Sequence, residues 1–142
     1  MYASSIPQAT LGSPVRKVMM WPISCVETQT SLAAVAEALA ADEIGVVCVI
    51  GNGRLAGIVS ERDLVAHVAA GADLHHLSAA EVMSSDLVTA SPEESVLEAA
   101  LRMEDAQVRH LPVLDEGRIA GIVSMRDLFS VLAHGVRPPR GE

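Results

Sequence analysis

An octapeptide that occurs twice, GIVSERDL at 57–64 and GIVSMRDL at 121–128, constrains this chain more than any other feature. The copies lie 64 residues apart, and the same offset pairs Val18-Met19 with Val82-Met83, Ser31 with Ser95, Val49 with Val113 and Gly53-Arg54 with Gly117-Arg118. Residues 18–71 set against 82–135 agree at 17 of 54 positions without a gap. Repetition of this kind decides architecture before any single element does, because repeated units bury their apolar faces against neighbours. Each unit has about 60 residues, a length that buries too little surface to stand firmly alone, so two units sharing one core are expected.

Within each copy the elements alternate as βαββα. In the second, Ser78 with Glu81 predicts a capping box that opens a short helix through Met83, and Leu87–Ala90 reads as a strand. Ser91-Pro92-Glu93-Glu94 offers an N-cap, a proline and early carboxylates to a following helix, whose apolar residues Val96, Ala99, Ala100 and Met103 fall on one face. Strands are expected at 110–114 and 118–123 about an Asp115-Glu116-Gly117 turn, then a helix from Ser124 towards Ala133. The first copy repeats this with a helix at 31–41, strands at 46–50 and 54–59, the Gly51-Asn52-Gly53 turn, and a helix from Ser60 to about Ala69.

These residues resemble a tandem pair of CBS domains, a Bateman module. The resemblance rests on the Val-Met after a short helix, the His110-Leu111-Pro112-Val113 strand, the Gly-Arg-(Leu/Ile)-Ala-Gly-Ile-Val-Ser hairpin and the terminal Arg-Asp-Leu, and it covers roughly residues 15–136. It implies an α/β (α+β) fold of two βαββα repeats packed sheet to sheet about a pseudo-twofold axis. The division it suggests is an N-terminal tail at 1–13, repeats at 14–74 and 75–136, and a C-terminal tail at 137–142. It also implies a homodimer, and clefts between repeats that commonly take adenine nucleotides.

Read on its own terms, the repeated motif places a helix start directly after a strand. The backbone N–H groups of residues 61–63 are expected to be unpaired there, with a partial positive charge suited to a phosphate. Ser60 adds a hydroxyl, Arg62 a local cation, and Asp63 a carboxylate able to accept from both hydroxyls of a ribose; Ser124, Arg126 and Asp127 repeat the set. The same Ser-x-x-Asp is also an ordinary capping box that needs no ligand. By resemblance each pocket draws on both copies. One would join Ile58, Ser60 and Asp63 with Val108, Arg109 and His110; the other would join Ile122, Ser124 and Asp127 with Ile44, Gly45 and Val46. Of the two, the pocket of Asp63 is favoured, because Arg109 and His110 would lie near its phosphate. Cys48, where the second copy has Pro112, departs from the family pattern and is expected to loosen its strand.

Composition narrows the function classes. With 10 Lys+Arg against 18 Asp+Glu the formal net charge is −8, which repels phosphate backbones and anionic lipid surfaces, so neither nucleic acid nor membrane is an expected partner. Tyr2, Trp21 and Phe129 are the whole aromatic set, too few for the stacking platforms of single-strand binders. No run reaches the length of a membrane span and the opening MYASSIPQATLGSP lacks the features of a secretory leader, so a soluble cytoplasmic protein is expected. Neither a metal site nor a catalytic constellation emerges: His75-His76 sits in the polar connector, and no Ser, Cys and His arrangement has motif support. The leading expectation is therefore a non-enzymatic sensor of AMP, ADP or ATP with no required cofactor, acting on an unidentified protein target. The alternatives are a ligand-independent interaction scaffold and a redox-responsive protein using Cys25 and Cys48, which lie on neighbouring strands if the resemblance holds.

Overall fold

The computed structural model describes residues 9–42 and 44–136. In the first repeat the order is β1 (Cys25–Glu27), α1 (Leu32–Ala41), β2 (Val46–Gly51), β3 (Arg54–Ser60) and α2 (Glu61–Ala69). A short helix, α3 (Ala79–Val82), leads into the second repeat, which continues with α4 (Val96–Ala106), β4 (His110–Asp115), β5 (Arg118–Ser124) and α5 (Met125–Val136). The fold is thus mixed α and β, with two βαββα-like repeats. Its hairpin turns follow the chemistry of tight β-connections. Asn52 and Gly53 have φ of 55° and 74°, and Glu116 and Gly117 have 52° and 83°, the paired positive values that match strand twist.

The repeats diverge at their first strand. β1 pairs in parallel with β2 over three residues, Cys25 with Cys48, Val26 with Val49 and Glu27 with Ile50. The strand expected at Leu87–Ala90 shrinks to one bridge, Ala90 to Val113. Two prolines account for this. The Cys48 N–H donates to Ser24 O at 3.0 Å, a ladder bond that Pro112 cannot make, and Pro92 has no N–H to prolong the other end. Cys48 therefore lengthens the strand pair of its repeat, the reverse of the loosening expected from its departure from the proline pattern.

The cap of α4 also differs from expectation. Ser95, not Ser91, is its N-cap: Ser95 Oγ accepts from Glu98 N at 3.0 Å, and Glu98 Oε1 accepts from Ser95 N at 3.0 Å. Ser91 instead closes a turn, its N–H donating to Glu94 Oε1 at 2.9 Å. The carboxylate of Glu94 also pairs with Arg102, whose Nη1 donates to Thr89 O at 2.8 Å. Hydrogen bonding from the Arg102 guanidinium holds the Glu94 carboxyl below its usual range. The sequence carried a signal for the right cap, because Ser95 is the repeat partner of Ser31, which caps α1 by accepting from Ala34 N at 3.2 Å.

Two compact units exist, and neither is a contiguous half of the chain. One comprises Pro22–Leu87 with Glu116–Ile119; the other comprises the stretch ending at Trp21, Val88–Asp115 and the stretch from Ala120 onward. Each unit is completed by the segment that leads into the other repeat, and the bonds obey the 64-residue offset. In one unit Val15 N donates to Glu94 O (2.7 Å), Arg16 N to Pro92 O (3.0 Å) and Val96 N to Ser13 O (2.8 Å). In the other, Ala79 N donates to Thr30 O (2.7 Å), Ala80 N to Thr28 O (2.9 Å) and Leu32 N to Leu77 O (2.8 Å). Residues 9–13, expected as tail, thus supply carbonyls that satisfy first-turn donors of α4. The remainder of the two tails, 1–8 and 137–142, lies outside the described residues.

Burial follows the units, each of which has an apolar cluster of its own. Leu32, Val35, Leu39, Val47, Val49, Val59 and Ala79 form one. The other contains Val15, Ala90, Val96, Ala99, Met103, Leu111, Val113, Val123, Leu128 and Val131. The exchanged segments each contribute a side chain with no solvent exposure, Val15 in one cluster and Ala79 in the other. Among the described residues no helix is long and apolar enough to cross a membrane.

Candidate functional site

Both copies of the repeated motif form a strand-to-helix junction with the same capping box. At the start of α2, Ser60 Oγ accepts from Asp63 N at 3.1 Å, and Asp63 Oδ2 accepts from Ser60 N at 3.0 Å. At the start of α5, Ser124 Oγ accepts from Asp127 N at 3.1 Å, and Asp127 Oδ2 accepts from Ser124 N at 3.0 Å. The capping reading of Ser-x-x-Asp is therefore realised in both repeats.

Fewer donors remain at these helix starts than the sequence suggested. Of the N–H groups at 61–63, that of Glu61 donates to Gly45 O at 2.9 Å and that of Asp63 to Ser60 Oγ. In the second repeat Met125 N donates to Arg109 O at 2.8 Å and Asp127 N to Ser124 Oγ. The first-turn donors that neither bond engages are the N–H groups of Arg62 and Arg126. Each aspartate commits Oδ2 to its cap, and Oδ1 has no hydrogen bond among the described residues.

The strand-entry residues lie beside the helix start of their own repeat. Val46 is the register partner of Ser60 across the β2–β3 pair, and the Gly45 carbonyl meets Glu61, so Ile44, Gly45 and Val46 adjoin Ser60 and Asp63. The Arg109 carbonyl meets Met125, which sets Val108, Arg109 and His110 beside Ser124 and Asp127. Ile58 and Ile122 precede the two serines on β3 and β5, and both hold an exchanged segment through paired backbone bonds. Ile58 bonds with Ser84 at 3.0 and 2.9 Å, and Ile122 with Met20 at 3.1 and 2.7 Å.

The junctions differ in electrostatics and in exposure. Beside Gly45 stands the Glu61 carboxylate, with Oε1 3.3 Å from where a Cβ would lie. The second repeat has Met125 and Arg109 at those two positions, and Arg109 and Arg126 are both exposed. The hydroxyls differ as well. Ser124 is nearly buried, and its Oγ also donates to Asp127 Oδ2 at 2.9 Å. Ser60 is half-buried, and among the described residues its hydroxyl hydrogen has no such acceptor.

No cluster of three or more His, Cys, Asp or Glu able to hold a metal ion occurs among the described residues. In the connector, His76 Nδ1 lies 2.5 Å from Asp73 Oδ2, and that hydrogen bond, followed by one from His75 N, holds the exposed Asp73 carboxyl below its ordinary value.

A family model, the CBS domain, matches residues 15–70 and again 79–134. The CBS domain-containing protein YhcV of Bacillus subtilis is 28% identical over 116 residues, which cover 82% of this chain and 83% of that protein. The crystal structure of Hypoxic Response Protein I with two coordinated zinc ions has a TM-score of 0.74 at 31% identity, covering 83% of this chain and 98% of that one. The CBS domain pair of protein MJ0100, solved in complex with 5′-methylthioadenosine and S-adenosyl-L-methionine, has a TM-score of 0.78 at 24% identity, covering 88% and 98%. At that identity the likeness establishes a common fold.

Proposed function

The chain belongs to the CBS-domain family, a pair of such domains being a regulatory module, and from that premise we propose that it is a non-enzymatic sensor of an adenosine-containing ligand. The ligand class is an adenine nucleotide such as AMP, ADP or ATP, held at the helix starts of α2 and α5. One observation carries the reading: the same set of unspent groups recurs at both junctions. Each has an aspartate Oδ1 for ribose hydroxyls, a second-position backbone N–H for phosphate, and strand-entry main chain alongside for the base. A cap and a ligand contact coexist because the cap uses only Oδ2. Arg109, Arg126 and the absence of a carboxylate at Met125 favour the phosphate at the α5 junction, whereas the Glu61 carboxylate disfavours it at the α2 junction. The MJ0100 pair, which shares this fold, holds two adenosine compounds.

Calorimetric titration with AMP, ADP, ATP and S-adenosylmethionine tests this. At a hundredfold excess over its dissociation constant, a binder adds about 2.7 kcal/mol to stability and raises the melting midpoint. Asp127→Asn keeps a capping oxygen but loses the charge that accepts from the ribose hydroxyls, and it should weaken every ribose-bearing ligand at the α5 junction by about 10- to 100-fold, the worth of a charged hydrogen bond. If none of the four moves the midpoint at millimolar concentration, the sensor reading fails and the scaffold reading takes its place.

A homodimer belongs to the same proposal. Val65 and Val68 on α2 are 65% and 53% exposed, and Phe129 and Leu132, their partners at the 64-residue offset on α5, are 64% and 48% exposed. Large apolar side chains repeated on two helix faces are the composition of an interface core. Light scattering should give twice the chain mass, and Phe129→Asp should halve it without lowering helix content. A monomeric wild type would overturn the dimer.

A further inference from the structure

We propose that Cys25 and Cys48 form a reversible redox modification site in which a low-molecular-weight disulfide oxidises the two thiols to an intrachain cystine. The residues are direct register partners across the parallel β1–β2 pair. Neighbouring strands lie about 4.8 Å apart, within the Cα separations a disulfide spans. Both thiols are free, Cys25 exposed and Cys48 buried. β1 is a three-residue edge strand, so the small inward shift that closure needs falls on the most yielding element of its sheet.

Exposure divides the labour. Cys25 is exposed and open to a soluble disulfide, although burial, only partly offset by Cys48, raises its thiol above the ordinary value. Cys48 is fully buried, and burial first, then Cys25 and Asp42, pushes its thiol up to about 12. Cys25 is therefore the attacking thiol and Cys48 the resolving one. Cys25 thiolate attacks one sulfur of glutathione disulfide and expels one glutathione thiolate, leaving a mixed disulfide. Cys48 then attacks the Cys25 sulfur, its proton passing to the second departing glutathione. Two protein thiols and one glutathione disulfide thus become one cystine and two glutathione thiols. The second repeat carries Thr89 and Pro112 at the equivalent positions, so the device exists once per chain.

Equilibration of the whole protein in glutathione buffers, followed by alkylation and peptide mass mapping, tests the proposal. Wild type should yield a Cys25–Cys48 peptide pair, two dalton lighter than the dithiol by loss of its two hydrogens, that dithiothreitol reverses. Cys48→Ala, close in size and unable to resolve, should stop at glutathione on Cys25; Cys25→Ser should leave Cys48 alkylatable only after unfolding. The proposal is overturned if wild type keeps both thiols free in glutathione disulfide alone, or if the product links two chains through Cys25. The wild-type map decides this even if a variant fails to fold.

Discussion

Gly57→Ala and Gly121→Ala are expected to destabilise the protein by about 3 kcal/mol each, at the upper end of overpacking effects, and to lower the melting midpoint by about 10 °C. The reason is the close seating of each exchanged segment on the strand it completes. A Cβ on Gly57 would lie 2.6 Å from Ser84 O and 2.7 Å from Met83 Sδ; on Gly121 it would lie 2.7 Å from Met20 O and 2.9 Å from Met19 Sδ. A methionine end can swing aside, but the carbonyls are fixed, because Ile58 and Ile122 donate their N–H groups to them at 3.0 and 3.1 Å. Relief therefore means lifting the segment off its strand and losing both backbone bonds. Gly53→Asn is the control: nothing lies within 4 Å of its Cβ position, and asparagine tolerates the φ of 74° there, so a loss of about 0.5 kcal/mol or less is expected. Equal melting points for Gly57→Ala and wild type would refute the close seating.

Leu111→Ala and Leu32→Ala should each cost about 3 kcal/mol in chemical denaturation, the range for a fully enclosed leucine whose cavity cannot collapse. Both side chains have no solvent exposure, and they belong to different buried clusters, Leu111 with Val15, Met103 and Val123, and Leu32 with Val35, Val49 and Ala79. Leu101→Ala provides the contrast. Its side chain is 55% exposed on α4 and should change stability by about 0.5 kcal/mol or less. A loss below about 1 kcal/mol at Leu111 or Leu32 would mean that its cluster is not close-packed.

Much of the fold was legible because its signals are local. The helix at 31–41, the hairpins about Asn52-Gly53 and Glu116-Gly117, and the helices after Ser60 and Ser124 all rest on caps, turns and apolar periodicity within a few residues. Local reading failed at Leu87–Ala90, where the missing N–H of Pro112 removes a bond whose partner is distant in sequence. It failed at Ser91 too, where the bond from Ser91 N to Glu94 closes a turn and the helix starts one step later behind Ser95. At the candidate site the residues were identifiable from repetition alone. How many of their donors remained for a ligand was not, since the Gly45 and Arg109 carbonyls that occupy Glu61 N and Met125 N arrive from a separate strand.

By itself, the amino-acid order determined the 64-residue period, the βαββα-like plan of each copy and the Ser-x-x-Asp junctions. Each of these follows from hydrogen-bonding and burial preferences acting over one or two turns of chain. Only the tertiary structure decided that the stretch before each repeat completes the other unit, seating Val15 and Ala79 in cores that their own repeats do not form. The reason is physical. Two units built on the same plan present the same Gly-Ile-Val-Ser strand to either lead segment, so local pattern cannot distinguish a contiguous from an exchanged pairing. The choice rests on backbone bonds and burial between residues more than 60 positions apart in one unit, as for Val15 with Glu94, and about 26 to 50 apart in the other, as for Ile58 with Ser84 and Ala79 with Thr30.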